Sequence, residues 1–214
     1  MRTAPLLAGA AVRTAMFVLD GEETARWVPH LSFDERCRAA SYRHPRDRDR
    51  FVARRGWLRT LLGEETGLPP AALRFATGEQ GKPCLADQPG LDFSVSHSAG
   101  TALAAISHAG PVGCDIEARD PAKADPAVAE RFFSPRERAE LARLSADAWI
   151  DGFFAVWTRK EAVVKAIGTG LSMPLTAFSV TTVAPAKITE GAEGWQLQPL
   201  PAPPGFAAAL ALPA

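Results

Sequence analysis

The chain has 214 residues, with 47% hydrophobic and 22% charged side chains, as expected for a globular protein of one large domain or two small ones. Lysine plus arginine and aspartate plus glutamate number 24 each, and this zero net charge argues against nucleic acid or an anionic membrane as a partner. There is no apolar run of about 18 residues that could span a membrane, and the scattered cysteines lack the spacing of a zinc site, which favours reduced thiols in a cytoplasmic protein.

The hydrophobic pattern predicts helices and strands in alternating groups. Ser32 and Glu35 have the spacing of a capping box at the start of a helix, and Gly67 is placed to end the next one. The strands predicted over 101–107 and 112–117 are expected to form a β-hairpin. The predicted elements, in chain order, are a strand (14–19), two helices (32–42 and 47–66), three strands (91–96, 101–107 and 112–117), two helices (134–144 and 147–167) and three short strands (177–183, 195–200 and 206–212). This order indicates an α+β fold with antiparallel hairpins, not a doubly wound parallel sheet.

The first chemically informative group lies in the strand predicted over 112–117. Side chains alternate in direction along a strand, so Asp115 and Glu117 share one face, about 7 Å apart, while the apolar residues point into a core. Two carboxylates on one face repel each other unless a cation lies between them, and oxygen ligands suit Mg²⁺. Taken alone, the same pair also fits an ordinary strand that faces solvent.

The second group lies on the helix predicted over 147–167. One stripe of this helix carries Phe154, Trp157, Glu161, Val164 and Lys165. Glu161 and Lys165 have the spacing of an ordinary surface ion pair. In the alternative interpretation, Glu161 joins the two strand acids as a third carboxylate and Lys165 meets a phosphate oxygen. Lys160 lies on a neighbouring stripe, from which it could also reach an anion.

Further polar residues lie in strands, loops and the arginine-rich region. His97, beside Ser96, could be a structural residue, a base or a hydrogen-bond donor to a phosphate. A serine hydrolase is disfavoured because the G-x-S-x-G motif is absent. Lys82 lies in a stiff loop between glycine and proline. Nine arginines lie between residues 36 and 59. Most should form a solvated helix face, while one or two could bind a phosphate through two nitrogen atoms. Together these residues fit phosphoryl-centred chemistry on a polyphosphate ligand.

Five stretches make the sequence resemble the Sfp-type 4′-phosphopantetheinyl transferases. They are GKPCLAD (81–87), FSVSHS (93–98), VGCDIE (112–117), FFSPRE (132–137) and WTRKEAVVKAIGTGL (157–171). Their order and spacing match that family over nearly the whole chain. The departures are mild: Cys114 stands where the family often has an aliphatic residue, and Val95 where Leu or Ile is common.

The resemblance implies a fold, an activity, cofactors and partners. The expected fold is α+β, with two similar α/β halves (1–105 and 106–214) related by a pseudo-twofold axis, a ligand cleft between them, and the metal site in the second half. The expected enzyme, of the holo-acyl-carrier-protein synthase type, transfers the phosphopantetheine arm of coenzyme A to a serine of an apo acyl, peptidyl or aryl carrier protein and releases adenosine 3′,5′-bisphosphate. Mg²⁺, or Mn²⁺ in its place, is the expected metal, and a cytoplasmic monomer is expected, without nucleic acid or membrane as a partner.

The resemblance also implies the roles of individual residues. The metal ligands would be Asp115, Glu117 and Glu161, and the catalytic residues Glu161 and Lys165. Contacts to coenzyme A would come from Arg50 or its competitor Arg54, and from Lys82, Ser96, His97, Lys160 and Lys165. Two alternatives to the enzyme are a catalytically silent module that binds coenzyme A or a carrier protein, and a nucleic-acid-binding protein built on the arginine-rich helix.

Overall fold

The computed structural model describes residues 12–21, 23–78, 81–198 and 200–214. The helices in these ranges are α1 (Phe33–Ala40), α2 (Pro45–Thr66), α3 (Pro126–Phe132), α4 (Pro135–Leu141) and α5 (Ala146–Ile167). The strands are β1 (Val12–Val18), β2 (Phe75–Thr77), β3 (Pro83–Leu85), β4 (Asp92–Ser98), β5 (Thr101–Ser107), β6 (Gly113–Ala118), β7 (Ser179–Val180), β8 (Ile188–Glu190), β9 (Trp195–Gln198) and β10 (Phe206–Pro213). Within the described ranges, no helix combines the length and the apolar composition needed to cross a membrane.

The helix ends follow from the local sequence. At the start of α1, Ser32 Oγ accepts a hydrogen bond from the Glu35 amide and the Glu35 carboxylate accepts one from the Ser32 amide, so the predicted capping box is confirmed. Helix α2 begins at Pro45 instead of residue 47, because proline suits the first helical position, where no amide proton is needed. It ends at Gly67, whose φ of 71° lies in the left-handed region that glycine adopts without strain.

Two antiparallel sheets form the framework of the fold. Their strand orders are β1-β5-β4 and β6-β10-β9. Strands β4 and β5 form a hairpin, and two short antiparallel pairs, β2-β3 and β7-β8, lie where the sequence predicts a loop and one short strand. The mixture of helices and antiparallel strands confirms the predicted α+β class.

The predicted hairpin between 101–107 and 112–117 is wrong. Strand β5 pairs with β1 at one edge and with β4 at the other, while β6 pairs with β10 in the second sheet. Every residue of β5 is buried, so this strand needs a backbone partner at both edges, and no edge is left for β6. Residues 108–112 therefore carry the chain from one sheet to the other.

The two sheets pack against each other through an apolar layer. Leu103 and Ala105 of β5 contact a cluster that includes Cys114 and Ile116 of β6 and Leu210 of β10. Helix α2 covers the other face of the first sheet, and α5 packs against β6 and β10 of the second. Strand β6 thus lies between the first sheet and α5, and both of its faces are covered.

Helix α5 lies directly on β6 at Gly113. A Cβ atom at this position would come within 1.9 Å of the Ala162 carbonyl oxygen and 2.4 Å of the Ala166 amide nitrogen. A side chain there would have to move backbone atoms, which do not yield as a flexible side chain does. Glycine therefore sets the distance at which α5 presents its side chains to the next residues of β6.

Candidate active site

Asp115 of β6 lies at the centre of the predicted site. Its side chain is buried, with 2% of the residue exposed, and Oδ1 accepts hydrogen bonds from Lys165 Nζ at 2.7 Å and from Ser96 Oγ at 2.6 Å. Its other oxygen, Oδ2, is buried and has no hydrogen-bond partner among the described residues. Because an unpartnered buried carboxylate oxygen is costly, Oδ2 is an atom at which a cation would be favourable.

Glu117 lies on the same strand and is half-buried. Ser98 Oγ donates a hydrogen bond to Oε2 at 2.6 Å, and no side chain or amide of the described residues donates to Oε1. Burial raises the pKa of Glu117, the Ser98 hydrogen bond opposes this shift, and the negative charge of Asp115 adds to it. Each strand acid thus has one oxygen bound by a serine of β4 and one oxygen available to another ligand.

Glu161 of α5 lies near these two acids. Burial raises its pKa; Lys165 opposes the shift, while the charges of Asp115 and Glu117 add to it. The hydrogen bond of Lys165 goes to Asp115, so the interpretation of Glu161 and Lys165 as an isolated surface pair does not describe the site. Within the described ranges, no three side chains of His, Cys, Asp or Glu are arranged closely enough to form a ready metal site. The three acids influence one another electrostatically without forming a closed ligand set.

A cleft of about 590 Å³ opens beside Glu161 and Lys165. One wall comes from residues 81–83 and β4, and the opposite wall comes from α5. Two more cavities, of about 530 and 510 Å³, continue from it: Pro83 and Val95 border the first and second, while Arg54 and His97 border the second and third. We call these three cavities together the β4 groove.

Two arginines at the β4 groove differ in their partners. Arg50 donates to both carboxylate oxygens of Asp20, at 2.7 and 2.6 Å, so its charge is already compensated. Arg54 borders two of the cavities and has neither an ion pair nor a hydrogen bond within the described part of the chain. Burial lowers the pKa of Arg54, but a guanidinium remains charged in proteins. Of these two arginines, Arg54 is therefore the one whose donors are all unused within the described residues.

His97 and Lys82 also border the β4 groove. His97 is exposed at its outer edge, but partial shielding of its ring from water, together with the nearby charges of Arg54, Lys165 and Arg50, lowers the pKa of His97 to about 4. The imidazole is therefore neutral near pH 7, and it can donate one N–H to an anion without adding a charge. Lys82 Nζ donates to Asp92 and to the Val112 carbonyl oxygen, which ties the groove wall to the start of β6.

The structure does not place Lys160 among the predicted anion ligands. Its residue is 0% exposed, and Nζ lies 2.9 Å from Glu137 Oε1, which is equally buried. The ammonium also donates to the carbonyl oxygens of Leu175 and Phe178, at 2.7 and 2.5 Å. An ammonium has three protons, and Glu137, Leu175 and Phe178 accept all three, so no donor of Lys160 is left for an anion.

Nothing in the sequence pattern distinguishes Ser98 as a site residue. Its side chain is buried and contacts Glu117, and Ser94 and Ser96 on the same face of β4 also reach β6. The only signal in the sequence is the spacing of these serines, which alternate with other residues along one strand. That spacing also fits a solvent-facing strand, so the contacts of Ser96 and Ser98 with the two acids could be found only from the structure.

Comparison with known proteins gives a consistent result. A family model described as the 4′-phosphopantetheinyl transferase superfamily matches residues 111–208, which include β6 and α5. The 4′-phosphopantetheinyl transferase ffp of Bacillus subtilis is 36% identical over 162 residues, which cover 76% of this chain and 71% of the relative. The transferase HetI of Nostoc sp. is 38% identical over 171 residues, covering 78% and 72% of the two chains. Sfp of Bacillus subtilis is 34% identical over 162 residues, covering 76% and 71%. The chain therefore belongs to the Sfp-type 4′-phosphopantetheinyl transferase family.

Proposed function

We propose that the acids of β6 and α5 form the reaction centre of this enzyme. Its activity is that of its family: it transfers the phosphopantetheine arm of coenzyme A to a carrier protein. The observation that carries the proposal is the buried, unpartnered Oδ2 of Asp115, whose neighbouring oxygen binds Lys165. This arrangement combines a site for a divalent cation with a lysine that can meet phosphate oxygens.

The chain is further proposed to consist of two similar halves, 1–105 and 106–214, related by a pseudo-twofold axis. Each half has a three-stranded antiparallel sheet and a helix of 22 residues that ends at a left-handed glycine, Gly67 or Gly168. The proposed division falls inside β5, which ends at Ser107, and the chain passes to the second sheet just after that strand, within 108–112. The β4 groove, which has walls from β4 and from α5, is the proposed site of coenzyme A.

The acid set fits a magnesium or manganese ion. All of its side-chain ligands would be carboxylate oxygens, which these hard cations prefer, and an unpartnered buried oxygen is present at Asp115. Asp115, Glu117 and Glu161 are the proposed ligands. Bound there, the ion would supply charge compensation for the diphosphate of coenzyme A.

Two side chains of α5 carry out the reaction steps. Glu161 accepts the proton of the carrier serine as the hydroxyl attacks the phosphorus atom that bears the pantetheine arm. A carboxylate within reach of the serine hydroxyl can act as its general base. Lys165 stabilises the charge that develops on adenosine 3′,5′-bisphosphate as it leaves. Burial lowers the pKa of Lys165, but the adjacent Asp115 outweighs this effect and the pKa is raised, so the ammonium stays charged.

Binding of the nucleotide part falls to residues of the first half. Arg54 has unused donors and borders two cavities, so it is the proposed contact of the 3′-phosphate, ahead of Arg50. His97 and Lys82 contribute N–H donors along the β4 groove, whereas the single proton of Ser96 already goes to Asp115 Oδ1, so Ser96 acts on the site through that acid. The serine of an acyl, peptidyl or aryl carrier protein would approach from the side of α5. The enzyme is proposed to work as a cytoplasmic monomer.

A mass-shift assay tests this function against the silent module. Apo acyl, peptidyl and aryl carriers are incubated with the enzyme and coenzyme A, with Mg²⁺ or with an excess of chelator. We expect the mass of at least one carrier to increase by one phosphopantetheine group only when the ion is present. Binding of coenzyme A by calorimetry without any mass shift would instead identify a silent module. Transfer that survives complete chelation would remove the metal from the proposal.

A further inference from the structure

Serine side chains of β4 connect the two sheets at β6. Strands β4 and β6 belong to different sheets. Ser94 Oγ accepts a hydrogen bond from the Cys114 amide at 3.0 Å, and Ser98 Oγ accepts one from the Ala118 amide at 3.1 Å. The hydroxyls thus satisfy backbone groups of β6 that would otherwise be buried without a partner.

Ser98 differs from Ser94 in the group that receives its proton. The Ser98 hydroxyl donates at 2.6 Å to Oε2 of Glu117, whereas the Ser94 hydroxyl lies 3.5 Å from the Cys114 carbonyl oxygen, a backbone group. Because a hydroxyl has a single proton, the amide of Ala118 fixes the oxygen of Ser98 and leaves the proton for Glu117. A charge-assisted hydrogen bond of this length is strong and directional.

The contact restricts a side chain that would otherwise be free to rotate. Glu117 is half-buried, and Ser98 supplies the hydrogen bond to Oε2. Ser96 makes the equivalent contact to Oδ1 of Asp115, at 2.6 Å, and there the remaining oxygen is the unpartnered Oδ2. Both acids are thus held through one oxygen, and the second oxygen of each is left for another ligand.

We propose that Ser98 is a positioning residue for Glu117, which it orients for a divalent cation. The inference rests on the proposed metal role of Glu117. Hydroxyl and amide partners that orient metal ligands elsewhere typically contribute about 10–100-fold to metal affinity. Ser98 itself touches neither the ion nor the reacting atoms; it acts only through Glu117.

The test compares variants that differ in the hydroxyl alone. Threonine and valine have nearly the same shape, so Ser98→Thr keeps the hydroxyl and Ser98→Val removes it at equal side-chain volume. Ser94→Ala is the matched control, because it removes a hydroxyl that links β4 to β6 without touching a carboxylate; Ser94 also borders the first cavity, so coenzyme A is kept saturating for every variant. Mn²⁺ binding is measured by electron paramagnetic resonance of the free ion, with the full chain and saturating coenzyme A. Thermal unfolding of each variant reports the effect on the fold.

The proposal predicts that Ser98→Val weakens Mn²⁺ binding about tenfold or more, while Ser98→Thr and Ser94→Ala bind as the wild type does. Equal weakening in Ser94→Ala and Ser98→Val would overturn it, since the serines would then act only through the packing of the sheets. Wild-type affinity in Ser98→Val would overturn it and leave the metal site intact. A wild-type enzyme that binds no Mn²⁺ would overturn the metal site and the role of Ser98 together. If Ser98→Val does not fold, Ser98→Ala is measured in its place against the same control.

Discussion

Gly113 of β6 lies so close to Ala162 of α5 that a Cβ atom at position 113 would come within 1.9 Å of the Ala162 carbonyl oxygen. Two residues further along β6, Asp115 accepts its hydrogen bond from Lys165 of the same helix. The close approach of backbone to backbone at the glycine therefore brings the helix lysine within reach of the strand acid. The packing of α5 on β6 at Gly113 thus positions Lys165 for its hydrogen bond to Asp115.

Substitution of Gly113 tests this relationship. We expect Gly113→Ala to lower the free energy of unfolding by about 3 kcal/mol. This is the upper end of the usual loss for an added core methyl group, because here backbone atoms must move. Transfer activity should also fall, since α5 carries Glu161 and Lys165. Gly90→Ala is the control: apart from its chain neighbours, no atom of the described residues lies within 4 Å of the added Cβ, so its stability should change by less than about 0.5 kcal/mol. Urea unfolding of both variants measures the difference; equal stabilities would contradict the packing account.

Lys160 is expected to stabilise the fold instead of binding an anion. Lys160→Met leaves the Glu137 carboxylate buried and without its ion-pair partner, so we expect a loss of about 3–5 kcal/mol in unfolding free energy. The double variant Lys160→Met with Glu137→Gln removes both charges and should recover part of this loss. Denaturant unfolding of the single and double variants gives the coupling energy. A stable Lys160→Met enzyme with a raised KM for coenzyme A would restore the anion role.

Arg54 is expected to bind the 3′-phosphate of coenzyme A. Loss of a hydrogen bond to a charged group costs about 1.5–3 kcal/mol, so Arg54→Ala should raise the KM for coenzyme A about tenfold or more. Dephospho-coenzyme A, which lacks this phosphate, should show little difference between the wild type and the variant. Arg74→Ala, which removes an exposed arginine paired with Asp87, serves as the control and should leave both KM values unchanged. Equal KM increases for both substrates would exclude the 3′-phosphate as the partner of Arg54.

The pKa of His97 gives a pH-dependent prediction. Its folded-state pKa of about 4 lies below the ordinary value of 6.5, so the unfolded chain binds more protons between these values. The contribution of His97 to stability is therefore fully present above about pH 6.5 and is lost as the pH falls toward 4. An NMR titration of the imidazole should give this low pKa, and adenosine 3′,5′-bisphosphate should raise it, because a nearby phosphate favours the charged ring. An unchanged pKa in the presence of the nucleotide would place His97 away from the phosphates.

The sequence predicts those parts of the site that depend on local periodicity. Alternation along β6 correctly puts Ile116 in the core, opposite Asp115, and the helical stripe correctly puts Trp157 and Glu161 at one cleft. It does not predict the strand partners, because β5 is apolar on both faces and the choice of its neighbours depends on the whole fold. The helical pattern also does not predict the surroundings of the Lys160 ammonium, because its buried partner Glu137 lies on a different helix.

The most direct test of the three-acid centre is an anomalous difference map from crystals grown with coenzyme A and Mn²⁺. The account predicts one strong peak within ligand distance of Asp115 Oδ2, Glu117 and Glu161, beside the diphosphate. A bound coenzyme A with no peak at these oxygens, or with Glu161 turned away from the ion, would contradict it.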